Sequence, residues 1–337
     1  MTRQMPAQGA LEAFALYFES PQVWLENESA KANPNSRFQV AWDRIGSRDI
    51  PLLFRRDGFL IFRFDRSPAY AGGAVPAYDI VPGERVAPKI RRAEDARTKL
   101  AYRRIEYMNA FLLALTSAVS TVHSMGSSVQ RPVDPLNHLR AHPDGAVWRV
   151  TTPNTRHNLP YDVNRPLVMK VEAFEDAIGV MRACDDAFGD GATLLLSMIY
   201  TACHQYGQHQ FASAHMIGWC VVESLINMFW AKLIDEVALD KTTGTGHTEI
   251  SSKRRELLNG RDYTASIITQ ILSISRKIDD DLLVRLDQAR KVRNEFAHSL
   301  KPISPDDSGK VVRLAADLLT QLCGRRVTGQ LSYGAYV

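Results

Sequence analysis

Residues 279–300 read DDDLLVRLDQARKVRNEFAHSL. Leu282, Leu283, Leu286, Ala289, Val292, Phe296 and Leu300 recur mostly at steps of three and four, which predicts a helix with one apolar stripe facing a core. The run of aspartates at its start favours initiation, because carboxylates are stabilised at the positive end of the helix dipole. Asn294 and His298 are four residues apart and share a face that points away from the stripe. Arg293 falls within the stripe's own arc, so its stem is expected to pack while its head reaches out or finds a partner.

Working outward from this helix, nearly everything after Pro166 reads as helical. Apolar periodicity predicts helices over 171–188, 192–206, 212–237, 248–258, 263–275, 279–300 and 308–323. Gly189-Asp190-Gly191 ends the first of them, and Thr248, Ser251 and Ser252 all offer an N-cap for the fourth. Consecutive helices joined mostly by short links describe a helical bundle. A domain boundary is placed just before Pro166, giving an N-terminal domain over 1–165, a bundle over 166–328 and a tail over 329–337.

The N-terminal domain reads differently. Residues 11–18 suit a short helix or strand. Residues 50–56 and 59–64 are β-prone runs flanking Asp57-Gly58, a strong hairpin signal. A Pro-, Gly- and Ala-rich loop over 68–88 holds a short strand at 78–81. A long helix follows from about residue 93 to 123, its stripe built from Leu100, Ile105, Met108, Phe111, Leu112 and Leu115. Residues 126–166 are broken by prolines, with a strand at 146–150. The fold class is therefore α+β overall, with a mixed α/β N-terminal region followed by an all-α bundle.

The chain of 337 residues is too long for one ordinary core and fits two domains. With 45% apolar and 23% charged residues it is globular rather than disordered. A net charge of +4 permits a nucleic-acid partner without demanding one. Cys184, Cys203, Cys220 and Cys323 form no CxxC pair and read as small buried hydrophobes of a reducing compartment. The N-terminus lacks an apolar signal core, and the weakly charged run 107–126 has too short an apolar part to span a bilayer. The protein is expected in the cytoplasm, off the membrane.

An imidazole, an amide and a guanidinium on one rigid helix suit phosphodiester cleavage. RNA carries its own nucleophile in the 2′-OH. Cleavage needs one group to take that proton and one to return a proton to the leaving 5′-oxygen, and an imidazole does both near neutral pH. Arginine matches phosphate oxygens and stays protonated as charge grows on the phosphorane. Asn294 is suited to hold the imidazole or to donate to a phosphate oxygen. The bland alternative is that Arg and His near a helix C-terminus merely favour the dipole.

Arg293-Asn294, three residues and His298 match the RNxxxH signature of the HEPN superfamily (higher eukaryotes and prokaryotes nucleotide-binding domains). The surroundings resemble HEPN domains of the abortive-infection and toxin type. Residues 219–225, WCVVESL, are similar to their upstream apolar helix with an embedded acid, and residues 250–258, ISSKRRELL, to a segment before the motif helix. The resemblance covers about residues 190–325. It implies a metal-independent endoribonuclease that leaves a 2′,3′-cyclic phosphate and a 5′-OH, without a cofactor. Carried over, Arg293 and His298 are the catalytic pair, with Asn294 beside the Arg. It also implies a homodimer with two motifs facing each other across a dyad. Arg293 and His298 diverge by about 140° around one helix, so a dyad is what would gather both pairs round one phosphate. The biological role implied is a toxin or anti-phage effector, with a protein or phage-derived trigger acting on the N-terminal domain. The competing reading is a non-catalytic RNA- or nucleotide-binding, or dimerising, module.

Glu223 is an auxiliary candidate, suited to orient Arg293, or a structural acid. Arg290 and Lys291 lie one turn before the motif and are candidate phosphate contacts. Lys253-Arg254-Arg255 is a candidate contact to the RNA backbone, or a solvated helix face. His204, His209 and His215 do not share a helix face, and no metal set is expected from them. Phe54, Phe62 and Phe64 interleaved with arginines suit base stacking, although alternation more often places aromatics inward on a half-buried sheet.

Overall fold

The structure is a computed structural model that describes residues 13–17, 23–25, 40–55, 59–71, 88–122, 139–141, 167–238, 244, 246, 250–260, 264–329 and 331. It is a mixed α/β N-terminal region followed by a large all-helical bundle. Two compact units divide the chain, Met1–Ser197 and Met198–Val337. The division falls inside a helix, whereas the change of sequence character lies before Pro166.

In the first unit a five-stranded sheet has the order β3-β4-β5-β1-β6. Its strands are β1 (Ala13–Tyr17), β3 (Val40–Ile45), β4 (Pro51–Arg55), β5 (Phe59–Phe62) and β6 (Leu139–Ala141). A separate parallel pair joins β2 (Val23–Leu25) to β7 (Leu167–Met169). The expected hairpin is present, with Leu53 opposite Ile61 in the antiparallel β4–β5 pair. Its Asp57-Gly58 turn lies outside the described residues, as do the strands expected at 78–81 and 146–150. Two helices cover the sheet: α1 (Pro88–Val122) and α2 (Val171–Phe188). Phe174 of α2 meets Phe54 of β4 at 5.1 Å, and Phe111 of α1 meets Phe62 of β5 edge-on at 5.7 Å between centroids. Phe54, Phe62 and Phe64 are fully buried. Their faces are spent on the core, so they form no stacking platform for bases. Between β3 and β4, Arg48 sits in the left-handed region (φ 55) and its guanidinium clamps the end of α2 through Asp185 at 2.8 Å and the Gly189 carbonyl at 2.6 Å.

The second unit takes the end of α3 (Ala192–Gly207) and then α4 (Phe211–Val237), α5 (Ser252–Leu258), α6 (Ala265–Ile274), α7 (Asp280–Ser299) and α8 (Pro305–Cys323). Ser251 is the cap of α5, accepting from the Arg254 amide, and Asp279 caps α7 through the Leu282 amide. The last helix starts three residues before the expected Ser308, because Ser304 caps it and Pro305 fits its first position. By length and composition α4 would also span a membrane; half of its most apolar window is buried inside the unit. Its outward stripe is Ser213, Cys220, Ser224 and Asn227, all exposed. Cys220 is therefore a surface residue, correcting the expectation that all four cysteines are buried. Ser224 and Asn227 already marked that face as polar.

Helix directions follow from contacts. A Cβ at Gly218 would stand 3.3 Å from Val311 and 3.5 Å from Val312. His215, one turn earlier on α4, feels Asp307, one turn earlier on α8. So α4 and α8 run parallel. Arg285 pairs with Asp317, and Lys277 pairs with Glu236, so α7 runs antiparallel to both. One end of the unit therefore gathers the start of α4, the end of α7 and the start of α8.

Candidate functional site

The end of α7 departs from the burial its stripe predicts. Leu282, Leu286 and Ala289 are buried, yet Val292, Arg293 and Phe296 on the same arc are only half-buried. The last two turns of α7 thus stand partly clear of the core. Arg293 and His298 lie on this segment.

Arg293 donates from Nη1 to Asn294 Oδ1 at 2.9 Å. It has no carboxylate partner among the described residues, and its Nε is buried without an acceptor. A half-buried cation with no counter-ion is uncommon, since removal from water is usually offset by a paired acid. Asn294 uses its carbonyl on Arg293, which leaves its amide N–H groups directed elsewhere. His298 is exposed on the opposite side of the helix, with Lys291 two turns before it on the same face. Between them Glu295 accepts from Lys301 at 2.6 Å. That hydrogen bond, with the Lys301 and Lys291 charges, holds the Glu295 carboxyl below its usual range.

Arg290 pairs with Asp287 at 3.2 Å, while its Nε, like that of Arg293, is buried without a partner. Behind these arginines lies His215, fully buried, with Nε2 3.3 Å from the carbonyl of Ala289. Burial lowers the pKa of this imidazole; the Ala289 and Asp307 carbonyls and the Asp307 charge oppose the shift without cancelling it. Trp219 Nε1 and Ser308 Oγ are also buried and unpartnered. Of the six such atoms among the described residues, five sit on the segments of α4, α7 and α8 that meet at His215. The junction is rich in unused donors.

The other expected contacts lie elsewhere. Glu223 is two turns beyond His215 on α4 and forms no hydrogen bond or ion pair among the described residues. Because α4 and α7 are antiparallel, it is displaced from Arg293 by roughly 18 Å along the bundle. The structure does not bring them together. Arg255 pairs with Asp235 at 2.5 Å, and Trp230 donates to the Leu258 carbonyl at 3.0 Å. These contacts fix α5 at the far end of α4, so Lys253, Arg254 and Arg255 lie about 30 Å or more from His298. Among the described residues no group of three or more His, Cys, Asp or Glu side chains is placed to hold a metal ion. His215, set aside in the sequence with His204 and His209, is the buried residue that touches the motif helix. Its i, i+4 spacing with Trp219 on a long, very apolar helix was the available signal.

Compared with family models, curated proteins and solved structures, the chain has no match.

Proposed function

We propose that the helical unit is a HEPN-type endoribonuclease that cleaves RNA by attack of the 2′-OH on the adjacent phosphorus. The P–O5′ bond breaks, leaving a 2′,3′-cyclic phosphate and a 5′-OH. The observation that carries the reading is the half-buried Arg293 guanidinium, which among the described residues is paired with no acid and is bonded to Asn294, the two lying five and four residues from a water-exposed His298.

In this scheme Arg293 holds the non-bridging oxygens as negative charge grows on them. Its Asn294 bond orders the guanidinium before substrate arrives. An imidazole at His298 takes the 2′-OH proton, and one returns a proton to the departing 5′-oxygen. Arg293 and His298 diverge round the helix, so the complete site takes a second copy of α7 related by a dyad. Val292 and Phe296, apolar and half-covered, are suited to that contact. Lys291 and Arg290 are the phosphate-contacting cations of this surface. The cytoplasmic toxin or defence role, and triggering through the first unit, belong to the same proposal.

Purified protein incubated with total RNA tests it. Cleavage that survives EDTA and disappears in His298→Ala is the expected result. RNA binding without cleavage, unchanged by that substitution, would replace the nuclease with a binding module.

A further inference from the structure

We infer that His215, on α4, is a positioning residue for Arg293, acting through the backbone of α7. This rests on the nuclease reading for its kinetic consequence, but its geometry is independent of it.

In α7 the carbonyl of Ala289 accepts the amide of residue i+4, which is Arg293. The same carbonyl lies 3.3 Å from His215 Nε2. His215 thus grips the peptide oxygen to which the Arg293 backbone is tethered. The grip matters here because packing does not supply it. Upstream, Leu282, Leu286 and Ala289 bury this face of α7; downstream, Val292, Arg293 and Phe296 are only half-covered. Ala289 is the last buried residue of the helix, and His215 makes the polar contact at that point.

The chemistry of the ring sets the direction. To reach a carbonyl, Nε2 must carry the proton. Nδ1 is then a lone pair that makes no hydrogen bond, although the backbone and charge of Asp307 lie near enough to act on the ring. The ring is fully buried beside Gly218, which admits α8 at close range through Val311 and Val312. A side chain so confined has little freedom to turn away from Ala289. The close junction of α4 and α8 at Gly218, with His215 held on Ala289, therefore fixes the first turn of the overhanging segment, and Arg293 leaves that turn.

Substitutions that keep or move the donor separate positioning from packing. In Gln the amide nitrogen stands close to where Nε2 stood; in Asn it falls short, nearer the Nδ1 position. RNA cleavage is measured for wild type, H215Q and H215N, alongside thermal melts. The expected result is near wild-type kcat for H215Q, and kcat about tenfold lower for H215N with KM little changed. H215N cleaving at the wild-type rate while folded would overturn the proposal, as would equal loss in both variants at equal Tm. Amide exchange at Arg293 is read in the same three proteins and needs no catalysis. Protection retained in H215Q and reduced in H215N supports the grip; identical protection in all three overturns it. If wild type cuts no RNA, the nuclease reading fails, and the exchange result still decides the role of His215.

Discussion

Arg293 carries more of the account than any other side chain. Its charge is half-removed from water and, among the described residues, is answered by an amide and no acid, so an oxyanion is the partner its chemistry favours. Arg293→Ala is expected to lower RNA cleavage by about 100-fold or more, the scale seen when one transition-state donor is removed, while leaving the melting temperature within a few degrees. Arg293→Lys keeps the charge but loses the fork, and should recover only a minor part. A cleavage rate unchanged by either substitution would contradict the assignment. His215 makes a second residue-scale prediction. Burial depresses its pKa in the folded chain, whereas the unfolded chain takes up the proton near pH 6.5. The stability it contributes is therefore present above about pH 6.5 and is lost as pH falls from there toward the folded-state value. Wild type should lose more Tm than H215Q between about pH 7.5 and about pH 5.5; equal losses would show that His215 is not depressed. At this scale the motif was legible because Arg293, Asn294 and His298 are neighbours on one helix. His215 was not, since its contact spans 74 residues of sequence.

Among the elements, α4, α7 and α8 set the site by their directions. The close approach of α4 to α8 depends on the absence of a side chain at Gly218. Gly218→Leu is expected to destabilise the unit by about 1–3 kcal/mol through overpacking against Val311 and Val312, read by denaturant unfolding. At the other end of the motif, Leu300 caps α7 in the left-handed region with φ 51 and is largely exposed. A branched side chain there costs about 1–2 kcal/mol relative to a residue at ease in that conformation. Leu300→Gly should therefore stabilise by up to about 1 kcal/mol once the flexibility of glycine in the unfolded chain is set against that relief; a loss of stability would mean that Leu300 makes contacts its exposure conceals. Helix positions were legible because the longer ones carry an apolar stripe, and α5, α7 and α8 open on a side-chain cap at Ser251, Asp279 and Ser304. Strands β2, β3, β6 and β7 were not read. They are three to six residues long, and Val40 and Ile45 of β3 face solvent, so short edge strands leave no alternation to detect. The start of α8 lies three residues before the expected Ser308, since proline, unfavourable inside a helix, suits its first turn.

For the molecule as a whole, sequence character predicted an α/β part followed by a helical bundle, and both are present. Sequence proximity misled where helices turn back. The basic run at Lys253–Arg255 and the acid at Glu223 looked near the motif along the chain, yet antiparallel packing carries both away from it. What remains at the motif end is a segment of α7 whose apolar arc is only half-covered, with His298 and Arg293 on different sides. On the proposed mechanism that arrangement calls for a second copy. Sedimentation of wild type against Phe296→Asp should show a dimer converted to monomer together with loss of cleavage; a wild-type monomer that cleaves at full rate would remove the dyad from the mechanism. The most direct test of the central claim is the chemistry of the cut ends. An oligoribonucleotide is incubated with wild type and with His298→Ala, and the termini are identified by mass. A 2′,3′-cyclic phosphate and a 5′-OH are expected from wild type, and intact RNA from the variant. A 5′-phosphate product, or equal cutting by both proteins, would contradict the claim.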